Sequence, residues 1–513
     1  MHPAAQAEGL RVLMSIAARE DSYAVHPGHR DHLGDLPGAF WGPDPYAAVL
    51  LEARQATPGA LSEHYDIPRV TPSNRSAPAL IALTVLLVAA RTAWHLGFVL
   101  LHRSYWELTP LWLLTFGFPV ISVFLCWFDT PYVTTRRQDR QLGDLFVAAV
   151  IPVYNEDPEL LDRSIWSLLN SSRPPQKIHV VEDGPSGDYA VVCGYWAGHP
   201  AVAWTRCPVN GGKKYAQSVA FASCDEADIF LTLDSDTALE YRAIEEGLKP
   251  FADPEVASVA MIEEVWNKDV NWLTRTCSIR NTVSQLTAWS SQSVLGDVLI
   301  NRGTGALYRA ENIREILPAY INETFLGRDI KLGDDSALTL FSHAKGRTVQ
   351  QVTAFCLPMY PEALSHHFRQ WLRWARGGTV RNFWRLRYLP VASWGWWWVA
   401  LGIYFIFTSV IIPFALVLDW PASERVTFYI VLFMMTWAAA LGPRCLCVRR
   451  SGEGRLYRLG SVLLYPFGVF WTYVILRPIR VYGVVTCLRQ GWVTRQKGVE
   501  VEADKGDLYA EAN

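Results

Sequence analysis

The 513-residue chain is poor in charge, with 19% Asp, Glu, Lys and Arg, and has no excess of either sign: 47 basic residues stand against 49 acidic ones, for a formal net charge of −2. Without a global basic field, no nucleic-acid partner is expected, and any polyanion has to be held by a local site. Cysteine is scarce and scattered, nine in all, with only Cys445 and Cys447 close together. That spacing offers neither a zinc site nor a disulfide framework, and it suits a reducing, cytosolic setting for the water-facing parts. Residues 1–76 contain no long apolar run and lack the basic and apolar regions of a cleaved signal. They are read as a cytosolic N-terminal extension without a legible motif.

What the chain has in plenty is apolar surface: 50% of its residues are apolar, 22 are Trp, and the mean hydropathy is +0.09. A disordered or fibrous chain is excluded. Residues 77–101, APALIALTVLLVAARTAWHLGFVLL, and 108–128, LTPLWLLTFGFPVISVFLCWF, are each long enough to cross ~30 Å of hydrocarbon. Arg69 and Arg75 precede them and Arg136, Arg137 and Arg140 follow, so the positive-inside rule makes 77–128 a pair of transmembrane helices with both flanks in the cytosol. A second apolar block, 392–490, holds spans near 393–419, 426–443 and 459–476, and it opens on Trp394, Trp396, Trp397 and Trp398, which suit the headgroup boundary. The chain is therefore expected at the plasma membrane as a multi-pass protein. Basic residues on both sides of the last span argue for a cytosolic tail, 491–513, and predict that this span turns back near Pro466 and Gly468 as a re-entrant or interfacial hairpin. Arg91, near the middle of the first span, is read either as facing a protein or water-filled interior, a pore or a partner, or as snorkelling from a tilted or shifted helix.

Between the apolar blocks the pattern changes. LFVAAVIPV, KIHVVED, AVAWT, DIFLTLD and VASVAMI, within residues 145–262, are β-rich runs separated by helical stretches, which predicts a mainly parallel sheet covered on both faces. Ligands bind such sheets beyond the carboxyl ends of the strands. There the chain places Glu182-Asp183-Gly184 after the second run and Asp234-Ser235-Asp236 after the fourth, with NGGKKYAQ, 210–217, between them. A triplet of the second kind offers two carboxylates to one hard cation, which typically bridges substrate phosphates. Asp236 is the candidate metal ligand, Asp234 its support or a contact to the nucleotide sugar, and Lys213, behind two glycines, a phosphate contact. Each motif alone is common; their order on one sheet is what points to a nucleotide-diphosphate donor.

Farther on, Gly333-Asp334-Asp335 precedes residues 361–391, whose stretch PEALSHHFRQWLRWARGGTVRNFWRLRY reads as amphipathic interface helix. Gln370, Arg373 and Trp374 share one face of it, combining an amide, a guanidinium fork for phosphate and a flat ring for a sugar. His366 and His367 have no third ligand at a matching spacing and are read as interfacial polar residues.

Taken in order, PVYNE, EDG, GGKK, DSD, GDD and QWLRW, flanked by apolar spans over residues 77–497, resemble the processive family-2 glycosyltransferases: the hyaluronan, chitin and cellulose synthases. LDSDT at 233–237, NWLTR at 271–275, FLGRDIKLGDDSALT at 325–339 and GWVTR at 491–495 are most like hyaluronan synthases. The resemblance implies an α/β GT-A-type, Rossmann-like cytosolic glycosyltransferase domain, residues 129–360, inserted between transmembrane α-helices. It implies that Asp183 contacts the uridine, Lys213 and Asp234 the donor, and Asp236 the Mg²⁺ or Mn²⁺. Asp335, beside Asp334, would be the general base, Gln370 and Arg373 would hold the pyrophosphate, and Trp374 the acceptor sugar. The implied chemistry is inverting transfer from UDP-sugar donors, UDP-GlcNAc and UDP-GlcA, to a growing β-linked polysaccharide that leaves through the lipid bilayer. The chain departs from that pattern at Trp371, where a second Gln is usual, and in NRGTGALYR, 301–309, where Gly303-Thr304 replaces Gly-Pro. A chitin- or cellulose-like homopolymer synthase and a non-processive membrane transferase stay open as alternatives. A transporter or receptor with a nucleotide-sensing domain would leave Asp335 and the acceptor helix without a task.

Overall fold

Strand β1, Val147–Val153, is buried at every position, as a strand paired on both edges and covered on both faces must be. The computed structural model describes residues 65–72, 77–101, 109–185, 188–418, 424–489, 493–496 and 499–502. In it β1 joins β2 (Lys177–Glu182), β3 (Val202–Arg206), β4 (Ile229–Thr232), β5 (Ala238–Leu239), β6 (Val256–Glu263), β7 (Ala306–Arg309) and β8 (Arg347–Leu357) in one sheet of order β3-β2-β1-β4-β7-β6-β8-β5. The five runs read from the sequence all form strands, but the mainly parallel sheet expected of them is a mixed one. β3, β2, β1 and β4 pair in parallel and β6 with β8 likewise, whereas β7 runs antiparallel to both β4 and β6, and β5 antiparallel to β8. β7 has four residues and β5 two, too few to show a hydrophobic period.

From β1 the chain passes to β2 on one side and later reaches β4 on the other. This reversal opens a crevice beyond the carboxyl ends of β1, β2 and β4, where ligands bind in open α/β sheets.

The helices include α1 (Ala77–Leu101), α2 (Thr109–Leu125), α3 (Pro158–Leu169), α4 (Lys213–Ala222), α5 (Trp272–Ser284), α6 (Asp334–His343), α7 (Leu364–Tyr388), α8 (Trp394–Leu418) and α9 (Glu424–Leu441). The last, α10, runs unbroken from Arg455 to Val485, through Pro466 and a π-helical turn at Thr472–Leu476. The hairpin expected at Pro466 and Gly468 is therefore corrected to a continuous helix: a proline removes one N–H bond and bends the axis, but does not by itself reverse it. Among the described residues α10 is the one helix long and apolar enough to cross a membrane; 78–94, 117–128 and 394–408 are shorter apolar helices.

Val88, Val123, Ile279, Val283, Ala438 and Tyr465 belong to one buried cluster, which joins α1, α2, α9 and α10 to α5. Arg91 on α1 donates to the Thr436 hydroxyl on α9 at 2.8 Å and lies over the Trp94 ring, so its guanidinium is held against a neighbouring helix of the same chain. No disulfide joins the nine cysteines. Residues 1–64 of the N-terminal extension, and Gly491 and Trp492 of GWVTR, lie outside the described residues, while Val493–Gln496 pairs with Val499–Glu502.

Candidate active site

Asp183 follows β2 directly, is 2% exposed, and accepts a hydrogen bond from the Gly211 N–H at 2.8 Å. Burial pushes its carboxyl up to about 6, with the Gly211 and Gly212 amides pulling the other way. The neighbouring Gly184 has φ +82°, and a Cβ there would stand 2.6 Å from the Asn210 nitrogen. Only glycine lets this turn lie flat on the NGGKK loop. That loop begins α4 and brings the Lys213 ammonium to 2.7 Å from Asp234 and 2.8 Å from Asp334. Burial opposes charge on Lys213, but the two carboxylates outweigh it and raise its pKa. Lys213, read from the sequence as a phosphate contact, is seen here tying the DSD turn to the GDD turn.

The DSD turn is held from behind by α3. Asp157 caps this helix by accepting from the Glu159 N–H, with Pro158 in the first turn, where a missing N–H costs nothing. From its buried face Arg163 donates to the Asp236 carbonyl at 3.2 Å, and the Ser164 hydroxyl lies 2.9 Å from the Ser235 carbonyl and 2.7 Å from that of Thr237. The Asp236 carboxylate itself accepts from the Thr237 hydroxyl at 3.2 Å. Sequence reasoning missed Arg163 and Ser164; the available signal was a helix in which Asp162, Arg163, Ser164 and Ser167 are interleaved with Leu161, Ile165 and Leu168, all of them buried.

Gly333, at φ +77°, starts α6 and places Asp334 and Asp335 in its first turn. Asp335 Oδ1 accepts from the Ser336 N–H at 2.6 Å. Burial, and then the charge of Asp334, push the Asp335 carboxyl up to about 6. Burial acts on Asp334 too, but Lys213 overrides it and holds that carboxyl below its ordinary value. Adjacent carboxyls driven in opposite directions are the arrangement in which one is available for proton transfer near neutrality.

The third wall is α7. Gln370 is buried, and its amide oxygen has no hydrogen-bond partner among the described residues. Trp374 is 43% exposed and meets the Trp371 ring edge-on at 5.7 Å, while the Arg280 guanidinium covers Trp371. Where α7 touches its neighbours it has no room for side chains: a Cβ on Gly377 would lie 3.3 Å from the Gly333 nitrogen, and one on Gly483 of α10 only 2.4 Å from the Ala375 Cβ. One turn beyond, Arg381 pairs with Glu323 at 2.6 Å, and Glu323 also holds Lys214 at 2.6 Å. Arg381 reaches the Gly333 carbonyl as well, at 3.4 Å. This buried triad joins α4, α7 and the GDD turn, and nothing in the local sequence pattern announced it.

A second missed group sits at the end of β6. Glu263 is 3% exposed; it pairs with Arg302 and accepts from Asn281 at 2.8 Å, Tyr360 at 3.1 Å and Thr304 at 2.5 Å. The signal was present, because VASVAMI is followed by Glu263-Glu264 just as the second and fourth runs are followed by acid. Next to Thr304, a Cβ on Gly303 would lie 2.9 Å from the Lys213 nitrogen, so this loop rests on the Lys213–Asp234 pair.

Asp183, Lys213, Asp234, Asp236, Asp334, Asp335, Gln370, Arg373 and Trp374 line one cavity of about 570 Å³, which continues to Ile403, Ile406 and Phe407 on α8 and Val484 on α10. Among the described residues no cluster of three His, Cys, Asp or Glu side chains forms a ready metal cage. The donor set nonetheless fits a hard divalent cation: the carboxylate of Asp236 lines the cavity, Asp234 stands beside it already facing a cationic ammonium, and such ions commonly take one or two carboxylates and complete their shell with water and phosphate.

The family model described as glycosyl transferase family group 2 matches residues 229–441. The hyaluronan synthase of Streptococcus pyogenes serotype M1 is 32% identical over 371 residues, covering 69% of this chain and 84% of its own length. The N-acetylglucosaminyltransferase of Rhizobium meliloti (strain 1021) is 26% identical over 370 residues, 70% of this chain and 84% of its own. Among solved structures, a mannosyltransferase from Pyrobaculum calidifontis in complex with GDP-Man and Mn²⁺ is similar at a TM-score of 0.43 and 17% identity, covering 80% of this chain and 99% of that one.

Proposed function

From the premise that the chain belongs to the family-2 glycosyltransferases, we propose that it is a processive, inverting synthase. It polymerises UDP-sugars into a β-linked, hyaluronan-like polysaccharide and passes the product across the plasma membrane in which it sits. One observation carries the reading: the cavity that gathers the acidic turns continues past Trp374 to apolar side chains of α8 and α10, so donor, acceptor and outgoing chain share one space.

In this reading Asp183 and the NGGKK loop receive the uridine, Gln370 and Arg373 hold the diphosphate, and Trp374 stacks under the acceptor ring. Asp335 accepts the proton of the acceptor hydroxyl as its oxygen attacks the anomeric carbon, and UDP leaves from the opposite face. A Mg²⁺ or Mn²⁺ held by Asp236, with Asp234 in support, would neutralise charge on the departing diphosphate. The spans at 77–128 and 392–490 would carry the glycan outward.

The test is incorporation of radiolabelled sugar by the full-length protein with Mg²⁺ or Mn²⁺. The expected product is of high molecular weight, requires both UDP-GlcNAc and UDP-GlcA, and is degraded by hyaluronidase. Polymer from one donor alone would make the enzyme a homopolymer synthase, and short products with UDP release would make it non-processive.

Acidity supplies a second test. A base must be ionised to act, so kcat should fall about tenfold per unit as pH drops below about 6, the value to which Asp335 is pushed. Asp183 titrates in the same window, and its protonation should appear separately, in the donor KM. A kcat that stays level between pH 5 and pH 8 would remove Asp335 from the role.

A further inference from the structure

One charged pair in the cavity has no part in the transfer chemistry. Arg302 precedes the Gly303-Thr304 turn, has a side chain 20% exposed, and lies with its guanidinium carbon 4.6 Å from the centre of the Trp289 ring. Its Nη1 donates to Glu263 and, at 2.6 Å, to Asn281 Oδ1. Glu263 is occupied on both oxygens, by the Thr304 hydroxyl on Oε1 and by Arg302, the Asn281 amide and the Tyr360 hydroxyl on Oε2. It acts as a clamp that fixes the plane of the guanidinium.

The clamp engages one end of the fork only. Among the described residues neither Nε nor Nη2 of Arg302 makes a hydrogen bond, and Arg302, Trp289, Tyr360 and Thr304 all line the cavity that holds Trp374. The Nε and Nη2 side of a guanidinium presents two parallel N–H groups, the spacing of which matches the two oxygens of a carboxylate. Glu263 cancels the charge of Arg302, so the pair is poorly suited to a diphosphate, which asks for net positive charge. Directional pairing with a single carboxylate remains, and the aromatic walls suit a pyranose ring.

We propose that Arg302, oriented by Glu263, is a specificity-determining residue of the acceptor subsite, and that its open edge binds the carboxylate of a hexuronic acid at the terminus of the growing chain. The assignment rests on the polysaccharide-synthase reading and adds to it which terminus is recognised.

The experiment uses full-length protein in lipid nanodiscs and two tetrasaccharide acceptors, one ending in glucuronate and one in N-acetylglucosamine, each with its matching UDP-sugar. Arg302→Lys keeps the charge opposite Glu263 but loses the fork, and Arg302→Gln removes both the charge and the fork while Glu263 keeps its bonds to Asn281, Tyr360 and Thr304. Both should raise the KM of the uronate-ended acceptor by about tenfold or more. Both should leave the KM of the amino-sugar-ended acceptor and of the donor within about threefold. An equal rise for both acceptors, or a fall in kcat with unchanged KM, would overturn the assignment by making the pair merely structural. If the wild type extends neither acceptor, the synthase reading falls and this one with it; if it extends both and the variants match it, only the role of Arg302 falls.

Discussion

Asp335→Asn is expected to lower sugar transfer by about 10²–10⁴-fold, the range for loss of a positioned general base, while UDP binding measured by calorimetry stays unchanged. The amide retains an oxygen for the Ser336 N–H that Asp335 accepts from at 2.6 Å, so the turn keeps its shape. What it cannot do is take a proton. The stability sign can be worked out from the same group. Its folded pKa is raised, so its contribution to stability is complete below the unfolded value and is lost as pH rises through about 6. At neutral pH the carboxylate therefore weakens the fold, and the Asn variant should unfold at an equal or higher temperature than the wild type. A variant that is more stable, binds UDP and is catalytically dead is the signature of a catalytic residue; one that turns over normally places the base elsewhere.

Glu323→Gln should have the largest effect on the fold itself, a loss of about 3–5 kcal/mol, because it leaves two buried cations facing each other without their shared carboxylate. Burial disfavours charge on Glu323, yet Arg381 and Lys214 hold its carboxyl down to about 2. Lys214 gains less from the arrangement: burial lowers its pKa more than Glu323 raises it. The anion is thus the member of the triad that the others depend on. Its folded pKa is depressed, so its contribution is complete above the ordinary value of 4.5 and disappears as pH falls through about 2. Denaturant unfolding at pH 7 and at pH 3 checks both parts: the gap between wild type and variant should be wide at the first and narrower at the second. Equal stability at pH 7 would mean that water reaches the two cations.

Much of this site was legible because its chemistry sits at strand ends. Asp183, Asp234 and Asp236 follow apolar runs that could hardly be anything but strands, and the rule about carboxyl ends did the rest. Gln370, Arg373 and Trp374 were legible for a different reason, a helical spacing with three chemically distinct residues on one face. The residues that hold these in place were not legible. Arg163, Ser164, Glu263 and Glu323 find partners 18 to 109 positions away in the chain, and no local period encodes a pairing over that distance. The antiparallel β7 escaped for want of length, and α10 was misread because a proline and a glycine in an apolar run look the same whether the helix bends or turns back.

The glycine contacts on the two flanks of α7 set the working tolerances of the machine. Gly377 against Gly333 and Gly483 against Ala375 leave less than one methyl group of play on either side of Trp374, and close-packed interfaces of that kind do not deform continuously. On the proposed synthase reading, Trp374 is then an anvil fixed in distance from Asp335. A chain lengthened on such an anvil is the workpiece, and it is the workpiece that has to advance.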